Sequence, residues 1–234
     1  MKLSKETISI LKNFSSINSG LMLKKGNFVM TRAVNGTSYA DATIADEIDF
    51  DVAIYDLPAF LSVLSLVGEN AEITHDSKMA NIEIRNGRST INWASADPSS
   101  IKFPPSAVKF PLAHVIFELP GEELKQLLRV SRGMGIDTLG ITNNEGKIVI
   151  NGYNKVADSS CSKILYSLEA GEYDGEHQFN ILINMSNLKI VDGDYKVMIW
   201  GKIKGTEKQA ALRFEGTQVN YVIAVESDST YDFV

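Results

Sequence analysis

The sequence has few of the features that mark secreted, membrane or disulfide-bonded proteins. It contains one cysteine, Cys161, which excludes an internal disulfide and favours a reducing compartment. No stretch approaches the roughly 20 apolar residues that a membrane helix requires. The first residues, MKLSKETISILKN, lack the continuous apolar segment of a signal peptide. A composition of 44% apolar and 22% charged residues fits a globular protein, which we expect to be cytosolic.

Residues that could form a catalytic or metal site are also scarce. Gly140–Lys147 has the wrong spacing for a phosphate-binding loop, and Gly133–Gly135 lacks the third glycine of a dinucleotide motif. Asp49 and Asp51 would share one strand face, where solvated carboxylates are commoner than an acid–base pair. The histidines have no nearby ligand partners, so we expect separate surface or turn residues: His75, His114 and His177. We therefore predict a protein that is not an enzyme and has no metal or cofactor.

The stretch Gly121–Arg132 is predicted to form a helix with two contrasting faces. Its apolar face, at three- and four-residue steps, consists of Leu124, Leu127 and Leu128 with Ser131. A basic stripe at the same spacing consists of Lys125, Arg129 and Arg132. One face needs a protein core, and the other suits an anionic ligand.

The stretch Ser4–Phe14 repeats this arrangement. Ile10, Leu11 and Phe14 form its apolar face with Ile8 beside them, and the opposite face carries Lys5, Ser9 and Lys12, with Lys2 if the helix starts early. A basic helix face is often only solvated, and neither stripe has the aromatic residues that stack on single-stranded bases. Because both helices keep positive charge, we interpret the stripes as sequence-independent contacts to phosphates.

The net charge of −6, from 23 basic and 29 acidic residues, would by itself argue against nucleic acid as a partner. Screening acts over about 8–10 Å, however, so a ligand responds mainly to the nearest surface. The acidic residues crowd into other segments: Asp46, Glu47, Asp49 and Asp51; Glu169, Glu172, Asp174 and Glu176; Glu226, Asp228 and Asp232. The distribution of charge therefore matters more than its sum.

The two halves of the chain contain similar segments in the same order, which predicts an internal duplication. In the first half we expect strands at Leu21–Lys24, Asn27–Val34, Thr37–Thr43, Glu47–Ile54, Ala71–Thr74, Ala80–Arg85 and Arg88–Trp93, and a helix that Asp56 caps and that runs to about Leu66. In the second half, GKIVIN (146–151) echoes GNFVMT (26–31), and FNILI (179–183) echoes FDVAI (50–54). Met185–Lys189 then takes the place of the second helix.

The linker Ala96–Pro111 between the halves contains four of the six prolines and is predicted to be extended. Its large apolar residues, Ile101, Phe103, Val108 and Phe110, either pack onto the surface or bind a partner. The tail Ser227–Val234 similarly places Tyr231 and Phe233 among acids and serines.

Five separated blocks of the sequence resemble the DNA polymerase sliding clamps of T-even-type bacteriophages. They are MTRAVNGTSYA (30–40), IDFDVAIYDL (48–57), LLRVSRG (127–133), GKIVINGYNKV (146–156) and YVIAVESDSTYDF (221–233). The resemblance implies an α+β DNA-clamp fold with two similar domains per subunit, each built from βαβββ repeats. It implies an N-terminal clamp domain at 1–100, a connector at 101–113 and a C-terminal clamp domain at 114–234.

The resemblance further implies a ring of three identical subunits with helices around the hole and sheets outside. Four helices per subunit would give twelve, and helices about 10 Å wide would then enclose a hole roughly 38 Å across between helix axes. The residues implied to face DNA phosphates are Lys5, Lys12, Lys125, Arg129 and Arg132, with Lys2 and Lys189. Such a ring would slide on duplex DNA and tether the replicative polymerase.

The resemblance also implies partners and an interface. Clamps of this family bind tails of the polymerase and of an ATP-driven clamp loader, and late-transcription factors are further candidate partners, all in the host cytoplasm. The expected pocket residues are Phe103, Pro104, Pro105, Val108, Phe110, Tyr231 and Phe233, although these residues could equally join the two domains. For the subunit interface we expect the strand ending at Trp93 to meet a strand containing Cys161, Ile164 and Leu165. The alternative function is a structural β-rich virion ring that does not encircle DNA.

Overall fold

A computed structural model describes residues 1–68, 70–205 and 207–233. The chain forms two compact units, Met1–Val108 and Lys109–Val234, and the boundary between them lies inside the predicted connector 101–113. None of the described helices combines the length and apolar content that crossing a membrane requires.

The described residues of the first unit form two α-helices and seven strands. In chain order they are α1 Lys5–Ile17, β1 Leu21–Leu23, β2 Gly26–Arg32, β3 Ser38–Ile48, β4 Val52–Ile54, α2 Leu57–Val67, β5 Glu72–Asp76, β6 Asn81–Asn86 and β7 Ser89–Ala94. The pairs β1–β4 and β2–β3 and the sheet β5-β6-β7 are antiparallel. A single 3-10 turn follows at Pro98–Ser100.

The second helix of this unit begins as the sequence predicts. The Asp56 carboxylate accepts a hydrogen bond from the Ala59 N–H at 3.0 Å, and Pro58 occupies the first turn. The single strand predicted at Glu47–Ile54 is wrong, because β3 continues to Ile48 and β4 starts at Val52. Asp49 and Asp51 therefore lie between two strands and do not share a strand face.

In the second unit, the part of the chain that the structure describes forms one α-helix and nine strands. They are β8 Val115–Leu119, α3 Gly121–Met134, β9 Thr138–Asn144, β10 Lys147–Tyr153, β11 Tyr166–Glu172, β12 Phe179–Asn184, β13 Tyr195–Lys204, β14 Glu207–Glu215, β15 Val219–Ala224 and β16 Thr230–Tyr231. One sheet has the order β11-β10-β9-β12-β16. In a second antiparallel array β8 pairs with β13, β13 with β14, and β14 with β15.

The expectation of four α-helices per chain is wrong for the described residues, which form three. The segment expected to carry the fourth helix contains one 3-10 turn, Met185–Asn187, which the Asn184 side chain caps through the Ser186 N–H at 2.9 Å. Only ten residues separate the end of β12 from the start of β13, too few for a helix of ordinary length and its connections. The expected count of twelve α-helices around a ring assumed four per chain and is therefore wrong as well.

Each unit buries its own apolar core. In the first unit α1 packs on α2 and on β2 and β3, and Leu11, Phe14 and Phe60 have no exposed surface. In the second unit Leu124 and Phe233 are equally buried, with 0% exposure. Large apolar side chains removed from water in this way contribute about 1.5–3 kcal/mol each.

Candidate nucleic-acid interface

The N-terminus of α1 is capped by the Ser4 side chain, which is itself held by the Asp46 carboxylate. Ser4 Oγ accepts from the Thr7 N–H at 3.2 Å, and Asp46 Oδ2 accepts from the Ser4 N–H at 2.6 Å and from its hydroxyl at 2.8 Å. Burial raises the pKa of Asp46, but hydrogen bonds from Thr7 and Ser4 outweigh it and hold this pKa below its usual value. The start of the helix, and with it the direction of each face, is therefore well defined.

The two faces of α1 agree with the sequence prediction. Thr7, Ile10, Leu11, Phe14 and Ile17 are buried. Lys5, Ser9 and Lys12 are exposed on the opposite side, and Lys2 is exposed just before the helix. The apolar stripe anchors α1 to its unit and leaves the basic face in solvent.

The first turn of α3 is held by a carboxylate from a distant part of the chain. Gly121 N–H donates to Asp194 Oδ1 at 2.7 Å, which places negative charge at the positive end of the helix dipole. A Cβ atom at Gly121 would lie 3.0 Å from the Gly193 carbonyl carbon, so glycine permits this close approach. The helix ends at Met134, and the capping residue Gly135 that follows has a left-handed φ of 64°.

The faces of α3 also follow the prediction. Leu124, Leu127, Leu128 and Ser131 are buried, and Lys125, Arg129 and Arg132 are exposed. Over the described chain, no ion pair involves Lys2, Lys12, Lys125, Arg129 or Arg132, so their charge is not neutralised within the subunit. Lys5 and Lys189 each have an interaction partner, and Lys189 is exposed after the 3-10 turn.

The second helix, α2, contains no basic residue. Pro58, Ser62, Ser65 and Leu66 are exposed on it. Lys12 of α1 and Ser65 of α2 line two adjoining grooves between these helices, of about 460 and 340 Å³. The uncharged face of α2 could not be assigned to a ligand from the sequence.

The predicted partner-binding residues of the connector differ in exposure. Phe103 is half-buried, with Lys24 Nζ 5.9 Å from its ring centroid, and Pro104 is buried. Pro105 is exposed, Val108 is 39% exposed, and Phe110, at the start of the second unit, is half-buried. The connector's Ile101 is only 8% exposed and packs beside Gly20 of the first unit, so part of this segment is core.

The other two predicted partner-binding residues, Tyr231 and Phe233, lie inside the second unit. Phe233 stacks on the His114 ring at 4.7 Å and on Tyr231 at 5.2 Å, and the His177 ring lies edge-on at 5.2 Å. A side chain at Gly201 would clash, because a Cβ atom there would lie 2.7 Å from Phe233 Cδ2. We call Phe233, Tyr231, His114 and His177 the aromatic cluster.

The aromatic cluster also corrects the expectation of separate histidines. The His114 and His177 rings lie 5.6 Å apart, and His177 Nδ1 lies 3.0 Å from Asp232 Oδ1. His114 Nε2 lies 2.9 Å from the Gly201 carbonyl oxygen. The two histidines are 63 positions apart in sequence, and no local pattern indicates that β12, β13 and the tail bring them together.

The predicted interface residues occupy a strand in one unit and a loop in the other. Trp93 lies in β7, the last strand of β5-β6-β7 in the described chain, and packs edge-on against Phe60 with ring centroids 5.7 Å apart. The strand expected at Cys161–Leu165 is wrong, because β11 begins at Tyr166. Ile164 is 53% exposed, Cys161 is half-buried with a left-handed φ of 51°, and the Leu165 N–H donates to the Gly152 carbonyl at 2.9 Å.

Asp158 explains why this segment is a loop. Its carboxylate accepts from the Ser160 hydroxyl at 2.7 Å and from the N–H groups of Ser162 and Lys163 at 2.8 and 2.9 Å. Bonds from Ser160, Lys163 and Ser162 place the pKa of Asp158 far below its usual value. Backbone N–H groups that bond to this side chain are not available to a strand.

Neither a metal site nor a phosphate-binding loop is formed by the described residues. No group of three or more His, Cys, Asp or Glu side chains among them could hold a metal ion. The glycine-containing segment Gly140–Lys147 belongs to the hairpin β9–β10, which turns at Glu145 and Gly146, and not to a loop that opens a helix.

Two family models match the chain, one in each half. The model described as DNA polymerase processivity factor matches residues 4–103, and the model described as gp45 sliding clamp, C terminal, matches residues 116–227. The sliding clamp of Escherichia phage RB69 is 59% identical over 233 residues, and that of Enterobacteria phage T4 is 57% identical over 233 residues; each match covers all of both chains. The sliding clamp of Vibrio phage KVP40 is 31% identical and covers 97% of this chain.

Solved structures of more distant proteins share the fold. Proliferating cellular nuclear antigen (PCNA) from Entamoeba histolytica superposes with a TM-score of 0.62 at 11% identity, covering 94% of this chain and 95% of that one. A. fulgidus PCNA, solved with the C-terminal region of FEN-1, gives 0.62 at 13% identity, covering 95% and 96%. At such low identity the likeness concerns the fold alone, and it confirms the predicted α+β DNA-clamp fold.

Proposed function

Because the chain belongs to the sliding-clamp family of T4-like bacteriophages, we propose that the basic faces of α1 and α3 line the hole of a three-subunit ring and contact the phosphates of the enclosed duplex. The residues proposed to face DNA are Lys2, Lys5, Lys12, Lys125, Arg129, Arg132 and Lys189. Family membership makes the protein a DNA polymerase processivity factor, and it is not an enzyme.

The mechanism needs weak contact with DNA and a closed ring. Phosphate contacts carry no sequence information, so they let the clamp move along the duplex. Retention then comes from topology, since a closed ring leaves a circle only by opening. A polymerase held on the ring has a high effective concentration at the primer end, which makes synthesis processive.

One observation carries the assignment of the basic faces. A chain of net charge −6 exposes Lys12, Lys125, Arg129 and Arg132 on two helix faces, and within the described residues none of them has an ion-pair partner. Each face lies opposite a buried apolar stripe, so its direction is fixed by packing. Cations left unpaired on a fixed face suit a polyanion that approaches from that side.

Several finer assignments belong to the same proposal. Loading a closed ring requires an ATP-driven clamp loader, and late-transcription factors are further candidate partners in the host cytoplasm. Val108 and Pro105, which are exposed, are the connector residues best placed to receive partner tails, with Phe103 and Phe110 beside them in sequence. The edge strands β7 and β11 are the proposed subunit contacts, with Ile164 in the loop before β11.

The charge assignment is tested with two triple variants of equal charge change. Lys125→Gln/Arg129→Gln/Arg132→Gln removes the α3 stripe. Lys202→Gln/Lys204→Gln/Lys208→Gln removes three exposed lysines from the β13–β14 hairpin and is the matched control. Binding to a short linear duplex is measured at several salt concentrations.

The α3 variant is expected to bind more weakly, with a shallower plot of log K against log salt. The slope changes by about 0.9 for each phosphate that the protein no longer neutralises. The hairpin variant should retain the parent slope, because its lysines lie on strands and not on the helix face. Equal slopes for all three proteins would contradict the assignment and favour a ring that does not use these helices to contact DNA.

A further inference from the structure

The smaller groove between α1 and α2 contains hydrogen-bond donors that the protein does not use. The groove has a volume of about 340 Å³, and we call it the α1–α2 groove. It is lined by Lys5, Ile8, Ser9, Lys12, Leu64, Ser65 and Gly68. Ile8 and Leu64 form an apolar floor, while Ser9, Lys12 and Ser65 are exposed.

The serines on these two helices fall into two groups. Ser15 and Ser16 donate their hydroxyls to the carbonyls of Lys12 and Asn13 at 2.7 and 2.6 Å, and Ser62 donates to Pro58 at 2.9 Å. Such bonds to the preceding turn are the ordinary way for a helical serine to satisfy its hydroxyl. In the described structure the hydroxyls of Ser9 and Ser65 make no such bond, and both line the α1–α2 groove.

The charge in the groove has one sign among the lining residues that are described. Lys12 has no ion-pair partner within the described chain, and the described lining residues include no carboxylate. A lysine ammonium and two free hydroxyls are donors of the kind that proteins use to contact phosphate oxygens. An apolar occupant would leave the ammonium and both hydroxyls without an acceptor, whereas the oxygens of a phosphodiester can accept from all three.

We propose that the α1–α2 groove is a binding site for one phosphodiester group of the duplex, with Lys12 Nζ and the hydroxyls of Ser9 and Ser65 as its donors. This proposal rests on the proposed function, which places α1 beside DNA, and adds α2 to the interface through a hydroxyl and not through charge. It gives the uncharged face of α2 a role that its sequence does not reveal.

The test compares three variants of the full-length clamp on a short linear duplex in low salt. Ser9→Ala/Ser65→Ala removes the two free hydroxyls, and Ser15→Ala/Ser62→Ala removes two that already bond to their own helix. Lys12→Gln removes the charge. Alanine is a better helix former than serine, so both serine variants should fold, which thermal unfolding verifies.

We expect the Ser9/Ser65 variant to bind about tenfold more weakly, as the loss of two hydrogen bonds to an anion at a hydrated surface implies. Its salt dependence should equal that of the parent, because its charge is unchanged. Lys12→Gln should weaken binding and flatten the slope of log K against log salt by about one. The Ser15/Ser62 variant should bind like the parent.

The outcomes separate this inference from the proposed function. Parent-like binding by the Ser9/Ser65 variant, together with weaker binding by Lys12→Gln, would overturn the groove site and leave the basic faces in place. An equal loss in both serine variants would also overturn it, because the direction of the hydroxyls would then be irrelevant. Parent-like binding by Lys12→Gln and by the α3 triple variant would overturn both proposals.

Discussion

Replacing Phe233 with alanine is expected to destabilise the second unit strongly, although the residue is near the end of the chain. Phe233 is 0% exposed and contacts four aromatic rings, with centroid distances from 4.7 Å for His114 to 5.9 Å for Phe179. The tail is held further by β16, in which Tyr231 pairs with Phe179 of β12. Removing the ring would leave a cavity between these groups.

The magnitude follows from the burial. Truncating a fully buried phenylalanine to alanine typically lowers the free energy of unfolding by about 3–5 kcal/mol. Terminal segments leave the core more easily than central ones, so we expect the lower end, about 3 kcal/mol. For a chain of this size that corresponds to a fall in Tm of roughly 6–12 °C.

The assay is urea unfolding of Phe233→Ala and of the parent at equal protomer concentration, because association of subunits also contributes to stability. Val108→Ala serves as the control, since a side chain that is 39% exposed should cost less than about 1 kcal/mol. A loss below about 1 kcal/mol for Phe233→Ala would refute the placement of Phe233 in the core.

Further predictions concern α3 and the loop after it. A Cβ atom added at Gly133 would have no described atom within 4 Å, so Gly133→Ala should raise the free energy of unfolding by up to about 1 kcal/mol. Gly135 has a φ of +64°, which disfavours alanine, so Gly135→Ala should lower that free energy by about 1 kcal/mol. Urea unfolding measures both changes. Burial raises the pKa of Asp137, but bonds from Lys155, Val156 and Thr138 outweigh it and lower this pKa. The stability from Asp137 is therefore present above its ordinary pKa and lost on acidification, and Asp137→Asn should flatten the decline of the urea midpoint between about pH 5 and pH 2.

Local patterns were sufficient to predict the helices that carry the basic faces. The spacing of Leu124, Leu127 and Leu128 fixes which side of α3 packs inward, and the opposite position of Arg129 follows from helix geometry. Asp56 and Pro58 likewise mark the start of α2 because capping and proline geometry act within a few residues.

Contacts that the pattern of apolar and polar residues does not show account for these errors. The sequence of the tail, Ser227–Val234, is mostly polar with two aromatic residues. Only the pairing of this tail with β12 shows that Phe233 belongs to the core. The family resemblance implies a strand at Cys161–Leu165, but the Asp158 carboxylate accepts hydrogen bonds from the backbone N–H groups of Ser162 and Lys163. Nor does the sequence indicate that Ser9 and Ser65 share a groove, since that depends on how α1 packs against α2.

The most direct test of the account is retention of the clamp on circular duplex DNA before and after the circle is linearised, with an active clamp loader and ATP present. If a closed ring holds the clamp on DNA, it should remain on the circle and be released when the circle is cut, because the ring can then slide off an end. Equal retention on circular and linear DNA would contradict topological retention and show ordinary binding instead.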